Sequence, residues 1–262
     1  MSERKGGDEK VVEVEGLGAR YGADVVLQDV NLDVCRGEIL VIAGTSGCGK
    51  STLLRHMIGL SLPSEGRVKI DGVDITLASE EALKTVRRGI GVLFQSSALL
   101  GSMTLAENVA LPFTEFYDFP GPVLDTMVRI KLSMVGLEGY EDHFPAELSG
   151  GMKKRAGIAR AMALDPKVLF FDEPFAGLDP ITSAELEMLI KKLNNGMGTT
   201  MVIVSHELDA IFNIAGRIVM LHKDKKGIIA EGDPRVLRDR SPDERVRRFF
   251  SRKIDEEEPD GT

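Results

Sequence analysis

Short apolar runs punctuate the chain at residues 39–43, 90–94, 168–171 and 199–204, and two more stand at 217–221 and 227–230. Runs of this length, rich in Val, Ile, Leu and Phe and lacking polar alternates, read as strands buried on both faces, as in a parallel sheet. Residues 11–14, 25–27 and 30–34 form short alternating segments and read as an antiparallel sheet. Residues 67–72 continue that sheet, with Asp71-Gly72 as a hairpin-like turn. Helical spacing of apolar positions marks residues 53–58, 79–88, much of 97–163, and 180–193. No internal repeat is evident. The order predicts an α/β fold with a parallel core sheet, an antiparallel β-subdomain and an inserted helical subdomain at about residues 97–163. The main domain is expected over residues 11–240. A disordered lead-in is expected at 1–10, and a C-terminal extension ending in an acidic tail at 241–262.

Composition narrows the partners. The 262 residues include 41 Asp and Glu against 33 Lys and Arg, a net charge of −8. A surface of that sign repels a phosphate backbone, so nucleic acid is not an expected partner. The first ten residues are charged and lack the apolar stretch of a signal peptide. No apolar run approaches the roughly 18 residues that a membrane span needs. The two cysteines, Cys35 and Cys48, sit in unrelated contexts and are not expected to pair, which fits a reducing compartment.

The chemistry centres on Gly44-Thr45-Ser46-Gly47-Cys48-Gly49-Lys50-Ser51-Thr52, between the strand at 39–43 and the helix at 53–58. Glycines let the backbone curl so that successive N–H groups point into one concavity facing a helix N-terminus, which makes a cradle for phosphate. In this P-loop pattern the Lys50 ammonium reaches the β- and γ-phosphates and the Ser51 hydroxyl ligates Mg²⁺, so ATP and Mg²⁺ are the expected ligands. Cys48 is a small loop residue with no base placed to make it a nucleophile. Asp172 and Glu173 end the strand at 168–171, where α/β sheets bind their ligands. Asp172 suits the Mg²⁺ shell, and Glu173 suits the orientation or deprotonation of an attacking water. His206 follows the strand ending at Val204-Ser205 and points toward the same end. His56, His143 and His222 have no such placement and read as structural or surface residues.

Leu148-Ser149-Gly150-Gly151-Met152 precedes a helix expected over residues 153–162 and offers a second anion site at a helix N-terminus. One nucleotide needs only one cradle. Ser149, Gly150 and Gly151 therefore serve a γ-phosphate held by another copy of the chain. With these motifs in order, the sequence resembles the nucleotide-binding subunit of ATP-binding-cassette (ABC) transporters over nearly its whole length. The resemblance implies the ABC-ATPase form of the P-loop NTPase fold and a head-to-tail homodimer attached to an integral membrane permease. It places Tyr21 as an aromatic stacked on adenine and Gln95 as the link between Mg²⁺ and the membrane subunit. It also places Asp179, in 176–179, on the loop that crosses the dimer, and His206 as the sensor of the γ-phosphate.

Position 152 departs from the family, which usually has Gln there. Met152 resembles the branch that serves MCE-type lipid transporters, the Mla or Mkl-like ATPases, as do the stretches at 94–109, 171–182 and 243–250. That likeness implies ATP-driven phospholipid movement between bacterial membranes, with MCE-domain and small accessory subunits. It also implies a peripheral location on the cytoplasmic face of the inner membrane. An importer ATPase for amino acids or metals is the rival within the family. The apolar set Leu99, Leu100, Met103, Leu105, Val109, Leu111, Phe113 and Phe116 forms either a local core or a groove for a permease helix. Val246, Phe249 and Phe250 are spaced for one face of a helix, which packs on its own domain, clasps a neighbouring ATPase or touches membrane.

Overall fold

The computed structural model describes residues 9–251, so most of the expected lead-in and the acidic end lie outside the described residues. Lys10 already opens the first strand. The chain runs β1 (Lys10–Tyr21), β2 (Asp24–Cys35), β3 (Ile39–Gly44), α1 (Lys50–Met57), β4 (Glu65–Ile70), β5 (Val73–Asp74), α2 (Glu80–Arg88) and β6 (Ile90–Leu93). Three helices follow, α3 (Leu105–Phe116), α4 (Gly121–Met134) and α5 (Gly150–Ala161). The chain then continues through β7 (Val168–Asp172), α6 (Pro180–Met197), β8 (Thr200–Val204), α7 (Leu208–Ile214), β9 (Arg217–His222) and β10 (Gly227–Gly232). It closes with α8 (Pro234–Arg240) and α9 (Glu244–Ser251).

The core sheet has the order β10-β9-β3-β8-β7-β6, parallel throughout except at the β10 edge. Successive side chains leave a strand on opposite faces. Ile39, Val41 and Ala43 accordingly join a core with α3–α7, while Leu40 and Ile42 join a second core toward β1, β2, β4 and α1. Phe171 and Phe170 divide in the same way. A strand clad on both faces has no place for polar alternates, which is why these strands read as unbroken apolar runs. The sheet also places the carboxyl ends of β3, β8 and β7 side by side, so the loops after them share one edge.

The antiparallel sheet has the order β2-β1-β4-β5. Its first two strands are each 12 residues long, where the sequence pattern shows only fragments. Register shifts near Gly16 and Asp29, both with positive φ, break the alternation and hide the continuity. Asp71 (φ 50°) and Gly72 (φ 78°) turn β4 into β5 with both central residues left-handed, the geometry that favours Asp-Gly.

Two helices differ from expectation in informative ways. Helix α5 begins at Gly150 rather than 153, because Ser149 Oγ accepts the Met152 N–H at 3.2 Å and so caps it. In the apolar set of the helical insertion, Leu105, Val109 and Phe113 are buried in the shared core, whereas Leu100 is 45% exposed. The set therefore supplies both a core and surface. At the C-terminal end, Val246 and Phe250 of α9 are buried, with Phe250 5.4 Å from Phe212. Within the subunit this helix packs on its own domain. Among the described residues no helix is long and apolar enough to cross a membrane.

Candidate functional site: a phosphate cradle at the strand ends

The loop from β3 to α1 curls around a cavity of about 630 Å³ lined by Gly44–Gly47, Gly49–Thr52, Val26, Gln95, Glu173, His206 and Phe249. Glycine is required at two of these positions. A Cβ on Gly44 (φ 141°) would lie 2.4 Å from the Leu221 carbonyl oxygen, and one on Gly49 (φ 99°) 2.7 Å from Leu27 Cδ2. Gly47 (φ 76°) has open space where its Cβ would be. Lys50 is buried, and its Nζ donates to the carbonyls of Gly44 (2.9 Å) and Thr45 (3.1 Å). The loop thus wraps its own cation, and the ammonium is fixed where phosphate oxygens would meet it.

Ser51 Oγ donates to Asp172 Oδ1 at 3.1 Å, bringing together a hydroxyl and a carboxylate from α1 and β7. This oxygen pair fits one edge of a Mg²⁺ shell, a hard cation that keeps few protein ligands and completes its shell with phosphate and water. No cluster of three or more His, Cys, Asp or Glu among the described residues would hold a metal by itself. Gln95 borders both the phosphate cavity and a neighbouring one of about 700 Å³, which Asp172, Arg55, Phe94 and Gly177 also line.

Glu173 follows β7 in a left-handed conformation (φ 48°) and is buried. A non-glycine residue pays roughly 1–3 kcal/mol for such a conformation. The surrounding bonds hold it: Glu173 N donates to Val204 O (3.0 Å), and its carbonyl accepts from Ala176 N (3.3 Å) and Lys154 Nζ (3.1 Å). The turn aims the carboxylate at His206, whose Nδ1 lies 2.9 and 3.0 Å from its two oxygens. The His206 side chain is 57% exposed, leaving the ring room toward the cavity. Next to it, burial and then the charges of Glu173, Glu187 and Asp209 push the Glu207 carboxyl up, against a pull down from His206.

Other predicted residues lie elsewhere. Tyr21 ends β1 at 52% exposure and is not part of the cavity wall, where Val26 and Phe249 stand instead. Ser149, Gly150, Gly151 and Asp179 do not line the cavity of their own subunit. Gly151 packs so tightly on α6 that a Cβ there would lie 2.4 Å from Thr182 Cγ2. Asp179 caps α6, accepting from the N–H groups of Ile181 and Thr182, both at 3.1 Å. The Met152 N–H is already taken by the Ser149 cap, so fewer free amides face outward from this turn than its sequence promises. Cys48 is buried and unpaired, and burial pushes its thiol up, as suits an inert loop residue.

Two residues of the site were not legible as such. Phe249 sits in α9, some two hundred positions from the loop it faces. Lys154 reads as part of a basic surface run, Lys153-Lys154-Arg155, yet it is buried with two backbone carbonyls as partners. Its signal was helical phase: it lies three residues after Gly151 and four before Ile158, on the buried face of α5.

Comparison with known proteins decides the family. The pattern of the family described as "ABC transporter" matches residues 27–176, more than half of the chain. The chain belongs to the ABC transporter family. It is an ATP-binding subunit with the ABC-ATPase fold. It is 42% identical over 240 residues to the intermembrane phospholipid transport system ATP-binding protein MlaF of Escherichia coli K12, covering 92% of this chain and 88% of that one. It is also 42% identical over 224 residues to the methionine import ATP-binding protein MetN of Brucella abortus strain 2308, covering 86% of this chain and 60% of MetN. Among solved structures, a dimeric post-hydrolysis state of the ATP-binding cassette MJ0796 bound to ADP and Pi matches with a TM-score of 0.77. That match has 34% identity over 85% of this chain and 98% of the other. Within this ABC subunit the phosphate loop, the Ser51–Asp172 pair and the Glu173–His206 pair meet at one edge of the core sheet.

Proposed function

We propose that this chain hydrolyses ATP between two copies of itself and that the resulting closing and opening drives phospholipid movement through a membrane permease. The observation that carries the hydrolytic part is the meeting of Lys50, Ser51 with its partner Asp172, and the Glu173–His206 pair at one cavity, which all but Asp172 line. Lys50 and the amides of the loop hold the triphosphate. Ser51 and Asp172, with Gln95 beside them, would hold Mg²⁺, which when bound would supply charge neutralisation and Lewis-acid polarisation of the phosphates. Glu173 receives the proton of the attacking water. His206 holds the carboxylate in the subunit as seen here and contacts the γ-phosphate once nucleotide enters.

The Ser149–Gly151 turn is not part of the wall of this cavity, which leaves one side of it without a second anion-binding turn. A second copy, placed head-to-tail, presents that turn to the γ-phosphate. A dimer of the related cassette MJ0796 with ADP and Pi supports the arrangement. ATP then acts as interface material, and its hydrolysis loosens the pair. The larger cavity at Gln95, with exposed Leu100 nearby in the chain, is the seat for a short permease helix.

Phospholipid is favoured as the cargo by the match to MlaF, which spans about nine-tenths of both chains, and by Met152 and the tail at 243–250. The partners then include an MCE-domain subunit and small accessory subunits, and the location is the cytoplasmic face of the inner membrane. Import of an amino acid is the second reading, favoured by MetN at the same identity. Purifying the chain with its membrane partners from the native membrane and reconstituting them in vesicles separates the two. Lipid transport predicts co-purifying phospholipid and ATP-dependent transfer of labelled phospholipid between vesicles. Uptake of methionine with no lipid transfer would replace it with the second reading.

A further inference from the structure

Helix α5 carries a lysine where its helical phase calls for an apolar residue, and that lysine reaches two separate parts of the site. Lys154 is 5% exposed. A buried ammonium is costly unless its donors find acceptors. Its Nζ donates to Gln95 O at 2.6 Å and to Glu173 O at 3.1 Å, both backbone carbonyls. Neither contact is a salt bridge, and through them the ammonium serves as a donor to two separate stretches of backbone. The first acceptor belongs to the residue that borders both cavities, and the second to the left-handed residue whose side chain faces the phosphate cavity. Arg160, six residues further along α5, grips the same loop from its other end through the carbonyls of Ser97 (2.8 Å) and Ala98 (2.7 Å).

We propose that Lys154 is a positioning residue for hydrolysis, cross-linking the Gln95 and Glu173 backbones so that the Glu173 carboxylate is held at its catalytic angle. The inference rests on the reading of Glu173 as the proton acceptor. Lys154 does not line the phosphate cavity. Its effect runs through the backbone of Glu173, where a small rotation about a strained residue moves the carboxylate away from its target. Binding of ATP depends on the 44–52 loop, to which neither of these Lys154 hydrogen bonds runs, so turnover and binding separate.

The test is ATP hydrolysis by the full chain, steady-state and single-turnover, for Lys154→Met and Lys154→Arg, each with Glu173 and with Glu173→Gln. Lys154→Met is expected to lower kcat about tenfold or more with KM for ATP within about twofold, and Lys154→Arg to recover at least a third of the lost rate. In the Glu173→Gln background, Lys154→Met is expected to cost less than about twofold further, because the group it positions is already disabled. A Lys154→Met kcat within twofold of the parent overturns the proposal. So does an equal loss in both backgrounds, or a loss confined to KM. If Lys154→Met gives no cooperative melt, Lys154→Gln is judged by the same ratios. Full turnover in Glu173→Gln itself would instead remove the reading of Glu173 and is seen independently of Lys154.

Discussion

Glu173→Gln is expected to bind ATP as tightly as the parent chain and to hydrolyse it about 10²–10⁴ times more slowly, the range over which positioned acid–base groups act. The substitution keeps the volume and the hydrogen-bonding reach of the side chain. It removes only the ability to take up a proton. Glu173 is buried, its backbone is fixed by bonds to Val204, Ala176 and Lys154, and its oxygens lie within hydrogen-bond reach of His206. The amide still meets His206, so the fold and the phosphate loop are undisturbed. Single-turnover hydrolysis alongside calorimetric binding checks both halves. Turnover within a few-fold of the parent would take Glu173 out of the role of base.

Lys50→Ala is expected to weaken ATP binding by a factor of roughly 30 to several thousand, the cost of about 2–5 kcal/mol that follows truncation of one partner in a buried charge pair. The ammonium is already desolvated and held by the carbonyls of Gly44 and Thr45, so little ordering remains to be done when phosphate arrives. Removing it leaves the loop amides to face a triphosphate with less opposing charge. Titration calorimetry in Mg²⁺ reads the loss directly. Unchanged affinity would mean that the cavity is not where the phosphates lie.

Much of this site was legible from residues that are close in sequence. The run at 39–43, the glycines at 44, 47 and 49, and Lys50-Ser51 form one local device, and its geometry follows from strand, turn and helix start. Asp172 and Glu173 were legible because a buried strand ends at the same edge of the sheet as β3. The longer strands β1 and β2 were not legible, since bulges near Gly16 and Asp29 shift the alternation and make one strand look like several. The early start of α5 was hidden because Gly150 and Gly151 have poor intrinsic helix propensity, and the Ser149 cap with close packing on Thr182 overrides it. Phe249 and Lys154 were missed for a further reason. Phe249 faces its target only through the packing of α9 on the domain, and Lys154 becomes meaningful only once the carbonyls of Gln95 and Glu173 are known to converge on it. Tyr21, marked by a motif position, ends β1 outside the wall of this cavity, which Val26 and Phe249 help to line.

The half-site seen in one subunit is the reason a second copy is proposed. Its Lys50 and Ser51 line the cavity, with Asp172 bonded to Ser51 behind them, while its Ser149–Gly151 turn does not. The mass of Glu173→Gln in solution, measured by light scattering with and without Mg²⁺-ATP, tests this most directly. The account predicts one subunit without nucleotide and two with it. A mass of one subunit, at ATP concentrations that calorimetry shows to be saturating, would contradict it.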